Sequence, residues 1–148
     1  PHLPGSHVLD LFAGQGRFSY SALAEGAACA TLVENNTVTA RELSTLRPKK
    51  IPSSQESRVF CQDAWTFLAE NSGDLYDIIF ADPPFEDWNS QMETKLFNLV
   101  SHFCKPGTIL LVKYPSEMLI SSEHPGFSMW KINHFGESQL AYFTYGQS

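Results

Sequence analysis

Short apolar runs that end at turns and alternate with helical spacing constrain this chain most. Val8 to Ala13, Cys29 to Val33, Arg58 to Cys61, Tyr76 to Ala81 and Gly107 to Lys113 read as strands. Phe18 to Glu25, Val38 to Leu46, Ala64 to Glu70 and Ser90 to Phe103 read as the helices between them. The apolar strands run continuously rather than in alternation, so both faces of their sheet must be covered. Strand–helix alternation then requires right-handed crossovers and a parallel sheet. The expected class is α/β, as one Rossmann-like domain over residues 1–148. Gly26 and Pro48 stop the first two helices, and Asp63 suits an N-cap. Ser90 and Glu93 have the spacing of a capping box.

The tail departs from this alternation. Phe127 to Phe135 and Gln139 to Tyr145 both read as strands. Gly136-Glu137-Ser138 is too short for a crossover, so they form an antiparallel hairpin. Pro48 to Ser57 and Pro115 to Gly126 read as loops inside the domain. No apolar run approaches the roughly 20 residues of a membrane span, and no signal peptide is read. The chain opens at Pro1 without Met and enters a strand almost at once, so an upstream segment is expected.

Cys29, Cys61 and Cys104 are scattered and odd in number, as expected of reduced core thiols in a cytosolic protein. His2, His7, His102, His124 and His134 lack metal-ligand spacing and read as surface or packing residues, so no metal is expected. The net charge of −6 argues against a strong generic nucleic-acid binder. Arg41, Arg47, Lys49 and Lys50 cluster at a helix end. They read first as a solvated helix terminus and second as an RNA patch.

Ligands of open parallel sheets bind beyond the carboxyl ends of the strands. Asp10, Gly14, Gly16, Glu34, Asp63 and Asp82 all fall at such ends. Four converging acids repel a pyrophosphate but suit S-adenosylmethionine, which carries a sulfonium and an ammonium. Gly14 and Gly16 allow close backbone approach, or simply a tight turn. The third glycine of the dinucleotide fingerprint is missing. Glu34 is placed to accept ribose hydroxyls, a position shared with NAD sites. Asp63 suits an adenine amine and a helix cap equally. Phe12 reads as core as readily as ligand wall.

Asp82-Pro83-Pro84-Phe85 follows the Tyr76 to Ala81 run. The bland alternative is a stiff turn that packs Phe85 on the core. The chemical reading is an amine grip. The Asp82 oxygen and Pro83 carbonyl accept the two N–H bonds of an exocyclic amine and aim its lone pair at a methyl donor. The carboxylate then stabilises the charge that develops on nitrogen. Phe85 stacks on an unpaired or flipped base, worth roughly 1–3 kcal/mol. Most of the acceleration is expected from orienting two bound reactants.

These residues resemble RsmD, a family of bacterial guanine-N2 methyltransferases of 16S ribosomal RNA. The likeness rests on Asp10-Leu-Phe-Ala-Gly-Gln-Gly16, Glu34, Asp63-Ala64, Ile78 to Phe85 and the closing Gly136 to Tyr142 hairpin. It implies a seven-stranded class I methyltransferase fold, with S-adenosylmethionine as cofactor and S-adenosylhomocysteine as product. It further implies that Asp10, Gly14, Gly16, Glu34 and Asp63 hold the cofactor, beside Phe12, Ala13, Ala64 and Asp82. Asp82, Pro83 and Phe85 would meet the target guanine. The partner it implies is 16S rRNA or a small-subunit assembly particle, engaged by a cytoplasmic monomer. Three features depart from the family. Gly16-Arg17-Phe18-Ser19 replaces its Gly-Ala-Leu-Gly, which alters the cofactor carboxylate pocket. Lys113 stands where an acid is usual. The N-terminal basic arm is absent. The rivals are an adenine-N6 DNA methyltransferase, an NAD-dependent oxidoreductase and a catalytically silent RNA-binding scaffold.

Overall fold

The computed structural model describes residues 3–45, 52, 54–70 and 73–146. Strands β1 (His7–Leu11), β2 (Cys29–Glu34), β3 (Glu56–Cys61), β4 (Tyr76–Ala81) and β5 (Cys104–Pro115) alternate with four helices. These are α1 (Arg17–Ala24), α2 (Thr37–Thr45), α3 (Ala64–Glu70) and α4 (Ser90–Val100). A two-residue strand β6 (Glu123–His124) and the hairpin β7 (Phe127–Phe135) and β8 (Ser138–Tyr145) follow. The sheet runs β3-β2-β1-β4-β5-β8-β7-β6. The first five strands pair in parallel, and β8, β7 and β6 add on antiparallel. The chain reverses direction across the sheet between β1 and β4, which opens the crevice where such sheets bind ligands.

Because the strands carry apolar side chains on both faces, the sheet separates two cores. Leu9, Leu11, Ile79 and Val112 pack under α3 and α4, against Phe67, Leu96 and Phe97. Val8, Leu32 and Ile78 pack on the other face, against Ala22 and Leu23 of α1 and Leu43 of α2. The alternating parallel sheet and its terminal antiparallel hairpin therefore form as the sequence implies, with β6 as an added eighth strand.

Several local expectations are corrected. β5 is longer than Gly107 to Lys113, because Pro106-Gly107 is absorbed as a bulge. Gly107 takes φ 95°. Thr108 bridges the irregularity: its hydroxyl donates to the Tyr76 carbonyl (2.6 Å) and accepts from Lys105 N–H (3.0 Å). The last turn of the expected Ser90 to Phe103 helix is a separate 3-10 turn, Ser101–Phe103. Cys29 and Cys104 are buried as expected, but Cys61 is exposed at the end of β3, which has one neighbouring strand. Arg41 is exposed, whereas Arg47, Lys49, Lys50, Pro48 and His2 lie outside the described residues.

The capping box does not form. Asn89 caps α4 by accepting from Met92 N–H at 2.8 Å. Glu93 turns inward, where it is 5% exposed. Its Oε2 meets His124 Nε2 at 2.6 Å and accepts from Ser121 N–H at 2.8 Å. The His124 ring stacks on Phe97 at 3.7 Å. This buried polar knot anchors β6 and its loop to α4. Glu93→Ala should therefore lower unfolding free energy by about 2–4 kcal/mol, because it strands buried partners. An exposed helix-terminal glutamate would cost under about 1 kcal/mol. Urea denaturation separates the two.

Candidate functional site

The crevice lies beyond the carboxyl ends of β1, β2 and β4 and holds two adjoining cavities. The first, ≈ 490 Å³, is lined by Glu34, Asp63, Ala64, Trp65, Pro83 and Phe85 among others. The second, ≈ 400 Å³, is lined by Asp10, Ala13, Arg17, Phe18 and Lys113 among others. Phe12, Gly14 and Asp82 line both.

The floor is built by a strained turn. β1 ends at Leu11, and Phe12 adopts φ 62°, the left-handed region that β-carbon sterics disfavour. Its ring packs edge-on against Trp65 at 5.9 Å. The reversal lets Ala13 N–H reach the Val33 carbonyl at 2.9 Å, and Gly16 N–H reach the Ala13 carbonyl at 2.9 Å. Gly14 (φ 56°) has open space where a β-carbon would point. Gly16 differs and lines neither cavity. A β-carbon there would stand 2.8 Å from Tyr20 and 2.9 Å from Leu43. Packing behind the loop is what demands that glycine.

Glu34 ends β2 and steers the loop from the neighbouring strand. Its Oε1 accepts from Gly14 N–H at 2.7 Å, and its Oε2 accepts from Asn36 N–H at 2.9 Å. A carboxylate has about four acceptor sites, so two remain for a ligand. Asp63 caps α3, its Oδ2 accepting from Thr66 N–H at 3.1 Å. It lines the first cavity as well. The two readings of this residue are compatible, because the cap uses only one carboxylate oxygen.

Asp10 is the unusual group. It sits mid-sheet, paired in register with Leu32 and Phe80, and is 1% exposed. Its Oδ2 accepts from Ser19 Oγ at 2.7 Å. Its Oδ1 is buried with no hydrogen-bond partner. Its pKa is pushed up to about 7, above all by burial, with smaller contributions from the nearby Asp82 and Glu34 carboxylates and against the hydrogen bonds from Ser19. A buried, half-satisfied carboxylate facing a cavity is a site prepared for a cation. Ser19, one of the departures from the resembled family, supplies the hydrogen bond that partly offsets that burial.

Asp82 leaves β4 at the rim. Burial raises its pKa, and Lys113, whose Nζ is 3.7 Å from Oδ2, opposes the rise. Pro83 and Pro84 then feed a 3-10 turn, Phe85–Asp87, in which Asp87 N–H meets the Pro84 carbonyl at 3.0 Å. Phe85 is 39% exposed at the mouth of the first cavity, so the stiff-turn alternative that buries it does not hold.

The structure thus brings Asp10, Phe12, Ala13, Gly14, Glu34, Asp63, Ala64, Asp82, Pro83 and Phe85 around one crevice, with Gly16 behind it. Trp65, Asn35 and Asp87 also line it and carry no sequence signal of their own. The crevice is not uniformly anionic. The first cavity is lined by Glu34, Asp63, Asp82 and Asp87. The second sets Arg17 and Lys113 against Asp10 and Asp82. Among the described residues no cluster could hold a metal ion.

The small-subunit ribosomal RNA methyltransferase D of Haemophilus influenzae is 27% identical over 114 residues. That alignment covers 76% of this chain and 58% of the relative's length. Among solved structures, a candidate methylase from Haemophilus influenzae superposes with a TM-score of 0.83 at 24% identity, over 99% of this chain and 91% of that one. Magnesium protoporphyrin IX methyltransferase from Synechocystis superposes at 0.73 and 15% identity, over 97% of this chain and 72% of that one. At such identities these likenesses speak for the fold. A family model described as conserved hypothetical protein 95 matches residues 1–144. With nearly the whole length matched, the chain belongs to the conserved hypothetical protein 95 family, that of RsmD.

Proposed function

We propose that this chain is an S-adenosylmethionine-dependent methyltransferase acting on the exocyclic N2 amine of a guanine in small-subunit ribosomal RNA. The observation that carries the reading is Asp82, the carboxylate shared by both cavities. The residues fit the cofactor by chemistry. Glu34 and Asp63 offer acceptors for ribose hydroxyls and an adenine amine, and Phe12 and Trp65 offer apolar walls. Asp10, with its orphaned oxygen, suits an ammonium, and Arg17 suits a carboxylate. The mixed second cavity therefore matches a zwitterionic amino-acid end, as a pyrophosphate would not.

Bound there, S-adenosylmethionine supplies a methyl on a positive sulfur, which the amine lone pair takes while the broken bond's electrons stay with sulfur. Asp82 accepts an N–H of the target amine, directs its lone pair and stabilises the charge that builds on nitrogen. Phe85 stacks on the unpaired base. The proton that nitrogen sheds leaves to Asp82 or water. The likeness to a small-subunit ribosomal RNA methyltransferase supports RNA over DNA as the substrate, and a cytoplasmic reaction belongs to the same reading.

Asp10 makes cofactor binding pH-dependent. A cation binds its ionised form, and burial lifts its pKa to about 7 in the free protein. Affinity should rise as pH increases from about 6 to 8, with proton release seen as a buffer-dependent calorimetric enthalpy. Stability runs the other way. A folded pKa raised from 3.8 to about 7 means the folded state favours the protonated acid. That contribution is full below about pH 4 and is lost as pH rises through 7. Asp10→Asn should therefore raise the melting temperature at pH 8 by roughly 4–8 °C while weakening cofactor binding at least about tenfold. Loss of both properties would make Asp10 purely structural.

Asp82→Ala should lower methyl transfer at least about a hundredfold with cofactor binding largely retained. Phe85→Ala should lower kcat/KM for RNA about 5- to 100-fold. Tritiated cofactor offered with rRNA, duplex DNA and protein, followed by nucleoside analysis, tests the substrate. Label in N6-methyladenine of DNA would select the rival enzyme.

A further inference from the structure

Lys113 is a departure of this chain near the end of β5, and its position is fixed by strand register. Ala81 pairs with Val112, so Asp82, just past β4, and Lys113, still within β5, stand at one level on neighbouring parallel segments. Lys113 Nζ consequently stands 3.7 Å from Asp82 Oδ2. Both side chains are partly sheltered, at 40% and 33% exposure.

The other charged groups around Asp82 come from every neighbouring element. Asp10 from β1 lines the second cavity with it, and Glu34 from the end of β2, Asp63 from the cap of α3 and Asp87 from the 3-10 turn line the first. Arg17 of α1 lines the same cavity, but its guanidinium turns to Gln15 Oε1 at 3.3 Å. Among the described residues, Lys113 is therefore the cation within ion-pair reach of Asp82. Burial presses Asp82 toward its neutral form, and one lysine opposes it.

We propose that Lys113 is a positioning residue, which keeps the Asp82 carboxylate ionised and aimed at the acceptor amine and so sets the acid limit of methyl transfer. Its consequence for rate rests on the methyltransferase reading; its electrostatic content does not. A neutral Asp82 would hold only one hydrogen-bond face toward the amine and would not stabilise positive charge on nitrogen. Burial raises the Asp82 pKa and Lys113 lowers it, as the arrangement requires.

The test follows the Asp82 side-chain carboxyl carbon by NMR in the intact chain, assigned through Asp82→Asn. In Lys113→Met the titration midpoint should move to higher pH, and Lys113→Arg should return it. The kcat/KM of Lys113→Met, relative to wild type, should fall about three- to fivefold between pH 8.5 and pH 6, as suits a partly exposed pair. An unmoved midpoint in folded Lys113→Met, checked by circular dichroism, overturns the proposal. So does an unmoved midpoint with a tenfold change in cofactor affinity, which would assign Lys113 to the cofactor pocket. If wild type methylates no RNA, the functional reading fails, while the titration still decides the role of Lys113.

Discussion

The parallel pairing of β1 with β4 sets everything else. Their register aligns Asp10 with Phe80 and Leu11 with Ala81, so one carboxylate is sealed in the sheet while the next strand delivers another to its rim. Neither can relax away, because the apolar side chains of both strands are locked into cores on opposite faces. Charge interactions are strong where water is excluded, so Asp82 and Glu34 add to the burial that raises the pKa of Asp10. The free protein holds an electrostatic conflict at its centre. On the proposed reading a cationic ligand would resolve that conflict, and part of its binding energy would come from the relief.

The neighbouring strand β2 holds the turn above Asp10. A left-handed Phe12 costs about 1–3 kcal/mol and survives only where neighbours over-determine it. Here β2 supplies them. The Val33 carbonyl takes Ala13 N–H, and Glu34 takes Gly14 N–H. Glu34 is thereby oriented in the free protein. Strain in one residue thus fixes the aim of another, and that pre-organisation lowers the entropy lost on binding.

The sequence was legible where one residue type had one use. Runs buried on both faces identified β2 and β4 to within a residue, and acids at strand ends marked the crevice. Legibility failed where a side chain had to choose between partners. Glu93 has the spacing of a capping glutamate, yet His124 and Ser121 offer it a better-satisfied burial from 31 and 28 residues away. Pro106-Gly107 reads as a strand breaker, yet Thr108 rescues the ladder. β6 is two residues long and exists only because β7 pairs with it. Trp65 enters the cavity through its contact with Phe12, which depends on an unforeseeable backbone reversal. The Asp82–Lys113 pair needed a strand register that spacing alone does not supply.

The exposed ring of Phe85 follows from how its short motif is tied at both ends. Asp82 begins it at the rim of β4. At the far end Trp88 is 6% exposed and stacks on Tyr114 of β5 at 5.6 Å. Trp88 N–H also meets the Phe85 carbonyl at 3.1 Å, closing the 3-10 turn. Of the two aromatic residues, Trp88 enters the core and Phe85 stays at the surface. Two prolines remove most of the conformational freedom between the anchors, so little entropy would be left to lose on binding a ligand. An apolar ring is therefore kept in water beside an acceptor carboxylate by the same contacts that stabilise the fold. On the proposed reading that ring stacks on a planar amine-bearing base.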